Sequence, residues 1–214
     1  MNRTFAIAAL SAITFAAPAA AQPGRAGPAR PPAPAGAPAP DYRLTCDGPF
    51  SARTSEADLR RMYGAANVRH QMVDGAEGEQ VPATVIFEND ESRLAEVFWS
   101  NDARRSGFDS IRTGGRRWVT RDNLRVGSPI ADVERANGGP FPLSGFGWDY
   151  GGAPNFERGR LGRNPRGCFI GLGLAPDETA NSDRALGEDT YQSNSAAVRS
   201  QRPRIGQITL SFGN

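Results

Sequence analysis

Two periodicities divide this chain of 214 residues into elements. In "EADLRRMY", Leu59, Met62 and Tyr63 recur at the three- and four-residue spacing of one helical face. Ile130, Val133 and Ala136 do the same in "IADVERAN". Stop and start signals frame both. Thr54 or Ser55 can cap the first helix, and Ser55 with Asp58 can form a reciprocal capping box. Ser128 can cap the second, which places Pro129 at the first helical position. Gly64 and Gly138 follow as C-terminal stops.

The other period is two. "NVRHQMV" reads as a strand with Val68, His70 and Met72 on one face. "ATVIFENDESRLAEVFW" over 83–99 sets two apolar runs around the polar turn Asn89-Asp90-Glu91 and predicts a hairpin. In the second half, Arg160-Leu161 and "CFIGLGL" flank "GRNPRG" and predict another hairpin. "GQITLSF" over 206–212 is the last strand.

The helices share the pattern Ala-Asp-(Leu/Val)-x-Arg-x-x-Gly at an offset of 74 residues, and strands follow each. The predicted fold is therefore α+β. It has two related units, 42–110 and 111–214, each a short helix followed by antiparallel strands, packed as one sheet-rich domain. A polar segment of 28 residues over 176–203 interrupts the second unit and reads as a long, mobile loop, a plausible part of a recognition surface.

"NGGPFPLSGFGWDYGG" over 137–152 holds six glycines and four aromatics in sixteen residues. Read as a strand, it puts Phe146, Trp148 and Tyr150 on one face and Gly145, Gly147 and Gly151 on the other. That face has two uses. It can pack into the core, with glycines opposite that let another backbone approach. It can also stack on sugar rings, with Asp149 binding hydroxyls and Trp99 and Trp118 extending the platform. The glycine spacing resembles a dinucleotide fingerprint only as letters, because that motif must join a strand to a helix.

The first 21 residues carry one basic residue, Arg3, then an apolar run of 13 residues from Phe5 to Ala17, then Ala19-Ala20-Ala21. This is a signal peptide cleaved before Gln22, since the run is too short for the ~20 residues of a spanning helix. Residues 22–41 form a proline- and alanine-rich linker with nothing to bury. The expected location is periplasmic or secreted, with no transmembrane segment after cleavage.

Charge changes the picture little. Cleavage leaves 24 arginines against 23 acids, which argues against nucleic acid as a partner. There is no lysine, so neither a Schiff base nor a phosphate-loop lysine is available. The two cysteines, Cys46 and Cys168, make a disulfide the simplest reading in an oxidising compartment. A catalytic thiol would need His70, the single histidine. The hydrolase and metalloprotease motifs are absent, and one histidine makes a zinc site unusual. Asp149 and Glu157 illustrate a carboxylate pair that a glycosidase could use, but no spacing singles out a pair. We expect no catalytic residues, no metal and no cofactor.

"LRVGSPIADVERANGGPF" over 124–141 resembles the helix-plus-sheet units of the outer-membrane lipoprotein A family and the β-lactamase inhibitor protein. With "GFGWDYGG" the chain also resembles uncharacterised secreted proteins of proteobacteria. The inhibitor proteins carry two such units in tandem. The resemblance implies a non-catalytic fold for protein–protein contact and transfers no individual site residue; the lipidated cysteine of the lipoprotein group is missing here. The expected function is an exported, non-catalytic binding protein of the bacterial envelope. Its partner is an envelope or secreted protein; a cell wall or polysaccharide is the alternative ligand, and an unrecognised hydrolase the third possibility.

Overall fold

The computed structural model describes residues 40–163, 167–180 and 183–212. The expected signal peptide over 1–21 and nearly all of the linker over 22–41 lie outside them. So do 164–166, in the turn expected for the second hairpin.

The first half runs β1 (Arg43–Leu44), α1 (Glu56–Tyr63), β2 (Val68–Asp74), β3 (Gln80–Ile86), β4 (Ala95–Asn101), β5 (Ser106–Thr113) and β6 (Val119–Thr120). Then come α2 (Ile130–Asn137), β7 (Pro142–Ser144), β8 (Cys168–Ala175), β9 (Thr190–Gln192), α3 (Ala196–Ser200) and β10 (Arg204–Phe212). The main sheet has six strands in the order β2-β3-β4-β5-β10-β8, and every pairing in it is antiparallel. The fold is α+β, as the pattern predicts.

The capping box of α1 forms. Ser55 Oγ accepts the Asp58 N–H, and the Asp58 carboxylate accepts the Ser55 N–H at 2.9 Å. Those Ser55 bonds, with Arg61 adding to them, hold the Asp58 carboxyl below its ordinary range. Gly64 ends the helix at φ +87°, a backbone region that glycine enters without strain. Leu59 and Tyr63 are buried against the sheet, and Met62 packs beside them.

The second helix starts one residue later than its sequence suggests. Pro129 sits at the cap in extended geometry, and the Ser128 hydroxyl accepts the Arg125 N–H instead of capping. The reason is tertiary. The free Ile130 N–H finds the Pro203 carbonyl at 3.0 Å, and Pro129 bridges Arg204, so the leading end of β10 does the work of a cap.

The predicted second hairpin does not form. β8 pairs along its length with β10, and Arg160-Leu161 is not a strand. Arg160 caps α2 instead: its guanidinium donates to the carbonyls of Ala136 (3.1 Å) and Arg135 (2.6 Å), and its N–H to Asn137. Because β10 also pairs with β5, both halves contribute to one continuous sheet, four strands from the first and two from the second. The helices repeat at the expected offset, but the strand pairings after them differ.

The segment 176–203, of which 181 and 182 lie outside the described residues, holds regular elements where a loop was expected. It contains β9, which pairs with β7, and α3, whose Val198 is fully buried. Ser193 and Gln201 are buried too, with the Ser193 hydroxyl donating to Glu134 at 2.6 Å.

The core lies on the helix side of the sheet. At its centre Trp118 is fully buried among Tyr42, Phe50 and Tyr63, and its indole N–H donates to the Arg93 carbonyl at 2.8 Å. Cys46 and Cys168 are joined as a disulfide with Cα atoms 5.7 Å apart, fixing the segment after β1 to the first residue of the edge strand β8.

Candidate functional site

Strand β7 stops at Ser144, and the chain continues as a loop, without three aromatics on one strand face. Phe146 points into the core, 2% exposed, bridging in parallel to Leu186. Gly147 and Gly152, at φ +85° and +72°, then bend the chain back on itself. Tyr150 emerges at 57% exposure, Asp149 is exposed, and Trp148 is half-buried. The two rings meet edge-on with centroids 5.5 Å apart. Alternation fails here because positive-φ glycines reset the direction of each side chain.

The loop is tied down from within. Trp148 Nε1–H donates to the Gly145 carbonyl at 2.9 Å, and the Ser144 hydroxyl donates to the Tyr150 carbonyl at 2.7 Å. It is also tied to the sheet, since the Leu174 N–H on the outer edge of β8 donates to the Gly152 carbonyl at 3.0 Å. A Cβ at Gly152 would overlap the Leu174 carbonyl, and one at Gly145 would lie 2.5 Å from the Gly187 carbonyl. The close backbone approach expected of these glycines is therefore present, but around a loop.

That anchoring sets Tyr150 and Asp149 at the rim of a shallow trough of about 470 Å³. Its floor is glycine: Gly171 and Gly173 of β8 and Gly206 of β10. Gln207 and Thr209, directly across from Gly173 and Gly171 in register, supply amide and hydroxyl groups. Phe169 lies two residues before Gly171 on the same strand face and is 53% exposed. The arrangement offers a flat, backbone-lined surface between exposed aromatic rings. The alternating glycines of "CFIGLGLA" were the signal for it.

A second cluster surrounds His70. Thr84 is fully buried; its hydroxyl donates to Glu56 Oε2 at 3.0 Å and accepts the Trp99 indole N–H at 2.9 Å. Arg60 and Arg105 pair with the same Glu56 carboxylate at 2.9 and 3.4 Å. His70 stands with Nδ1 3.5 Å from Thr84 Oγ1 and Nε2 3.5 Å from Asp102 Oδ1. Asp102, His70 and Thr84 follow the order of a hydrolase triad, yet the Thr84 hydroxyl has no access to substrate and its proton is committed to Glu56. The arrangement is suited to holding α1 against β3 and β4. Thr84→Val should strand the Trp99 N–H and cost about 1–3 kcal/mol in urea unfolding, with Thr84→Ser restoring most of it. Indifference to the valine would mean the network is not structural.

Trp99 and Trp118 do not extend an aromatic platform, since both lie in the core at 8% and 0% exposure. Among the described residues no cluster of metal-ligating side chains is gathered, and no helix is long and apolar enough to cross a membrane.

No protein-family model matches the sequence, and no curated protein is found similar to it. A solved structure, that of the uncharacterized protein YfeY from Escherichia coli, aligns with 79% of this chain and 98% of its own at 13% identity, with a TM-score of 0.44. A likeness that distant carries no function across. The tandem-unit likeness to the β-lactamase inhibitor protein and lipoprotein A has no counterpart in these comparisons.

Proposed function

We propose that this chain is an exported, non-catalytic binding protein of the bacterial envelope, and that it docks another envelope or secreted protein on the outer face of β8 and β10. The observation that carries this reading is the exposure of Tyr150 and Phe169, 57% and 53%, beside a trough floored by glycine. Rigid aromatic side chains bury large areas on association at small entropic cost. Bare glycines beside them let a partner's chain come down to the backbone. Export is supported by the Cys46–Cys168 disulfide, because such bonds persist in oxidising compartments.

A saccharide ligand is the second reading. The edge-on Trp148–Tyr150 pair next to Asp149, Gln207 and Thr209 favours it, since sugars take one stacked ring and several hydroxyl contacts.

The test is a photo-crosslinking residue at Gln207 in intact cells, with products identified by mass spectrometry and sacculus binding scored in parallel. One saturable protein product is expected, lost in Tyr150→Ala/Phe169→Ala, while exposed-site changes alter folding stability by no more than about 1 kcal/mol. Retention on sacculi without a protein product selects the saccharide. With neither product nor retention, the proposed docking face is wrong.

A further inference from the structure

β8 is one edge of the main sheet and pairs with β10 on one side only. Along it, the N–H and C=O of successive residues point alternately toward β10 and away from it. Leu174 marks the parity, because its N–H turns away from β10 and donates to the Gly152 carbonyl at 3.0 Å. Ile170 and Leu172 therefore direct their backbone groups outward as well. Among the described residues those groups have no partner.

The two edges of the sheet are finished differently. β2, "VRHQMVD", carries Arg69 and Asp74, charges of the kind that discourage another strand. β8, "CFIGLGLA", has no charge and no proline, and the bulge in its ladder falls on β10. Its ends are closed, by the disulfide at Cys168 and by Gly152 at Leu174, which leaves 169–173 open. That stretch continues the docking face, because the exposed residues Phe169 and Gly171 alternate with Ile170 along it.

We infer that the partner protein binds by adding a short extended strand to the free edge of β8, hydrogen-bonded to Ile170 and Leu172. An extended backbone repeats its donors and acceptors every two residues, the spacing these groups present. Alternate side chains of the added strand then lie beside Phe169 on the outer face. This mode of docking presupposes the protein partner proposed above.

Hydrogen exchange on the purified protein reads the edge without any partner. The Ile170 and Leu172 amides should exchange faster than those of Gly171 and Gly173, which face β10. Protection equal to that of the glycines means the edge is already covered and overturns the strand addition, whatever Gln207 captures. In intact cells, Ile170→Pro removes one outward N–H at a place where an edge strand tolerates proline. It should lower the Gln207 crosslink about 10-fold, since a ladder hydrogen bond is lost and the ring obstructs the added strand. Ile170→Val, which keeps the N–H, should restore the product. An undiminished product in a folded Ile170→Pro protein, or an equal loss in Ile170→Val, overturns the strand addition and leaves the docking face standing. If circular dichroism shows the proline variant unfolded, the crosslinked wild-type complex decides. Its Ile170 and Leu172 amides must slow relative to the free protein, and unchanged exchange overturns the strand addition. Absence of any protein product at Gln207 in the wild type removes the protein partner and this mode with it.

Discussion

Replacing Cys46 and Cys168 together by alanine is expected to destabilise the fold by about 4–5 kcal/mol, the largest loss available from any single bond here. The bond closes a loop of 122 residues, so its removal releases a long stretch of the unfolded chain from constraint. Its place in the fold adds to the effect. Cys168 is fully buried and opens β8, whose other side has no neighbouring strand in the sheet. Without the link, the edge is held by its ladder to β10 and the Leu174–Gly152 hydrogen bond. The thermal midpoint should fall by roughly 10–15 °C in a domain of this size. Reductant added to the wild-type protein should bring its urea midpoint down to that of the double variant. A loss below about 1 kcal/mol would show that the unfolded chain is already compact enough to keep these segments together.

Much of the first half was legible because its signals are local. The helix period of Leu59, Met62 and Tyr63, the Ser55–Asp58 box and the turn at Asn89-Asp90-Glu91 each act within a few residues, and the structure uses them as written. The second half is built from longer-range pairings. β8 finds its partner in β10, beyond the whole 176–203 segment, and no pattern around Cys168–Ala175 names that strand. Arg160-Leu161 misleads for a related reason: the arginine is spent on the carbonyls at the end of α2, a tertiary contact that its sequence neighbours do not announce. In 176–203 the apolar signal is thin. Val198 and Tyr191 are too sparse to show a period, although polar groups such as Ser193 are buried by their hydrogen bonds. The candidate site was half visible. The aromatic-glycine stretch drew attention for sound reasons, but alternation assumes uniform β geometry, and two glycines at positive φ break that assumption.

The three tryptophans bring the remaining prediction into focus, because composition treats them alike and the fold does not. Trp118→Ala should cost about 3–5 kcal/mol, since it empties a site enclosed by three aromatic rings and leaves a core that can relax only in part. Tyr42 meets the indole edge-on at 5.2 Å, while Phe50 and Tyr63 lie at 5.9 Å, so the deletion removes contacts on several sides. The Arg93 carbonyl also loses its 2.8 Å donor. Trp148→Ala should cost only about 1 kcal/mol, chiefly the hydrogen bond to the Gly145 carbonyl and a half-buried ring. Paired urea titrations of the two variants read the difference directly. A gap of about 2 kcal/mol or more places the turn 147–151, beyond the core-buried Phe146, outside the folding core, so that Tyr150 and Trp148 are free to serve a ligand. Equal losses would make the loop a structural cover for the β8 edge, and the exposed ring of Tyr150 would then have to be judged without Trp148 as part of the binding surface.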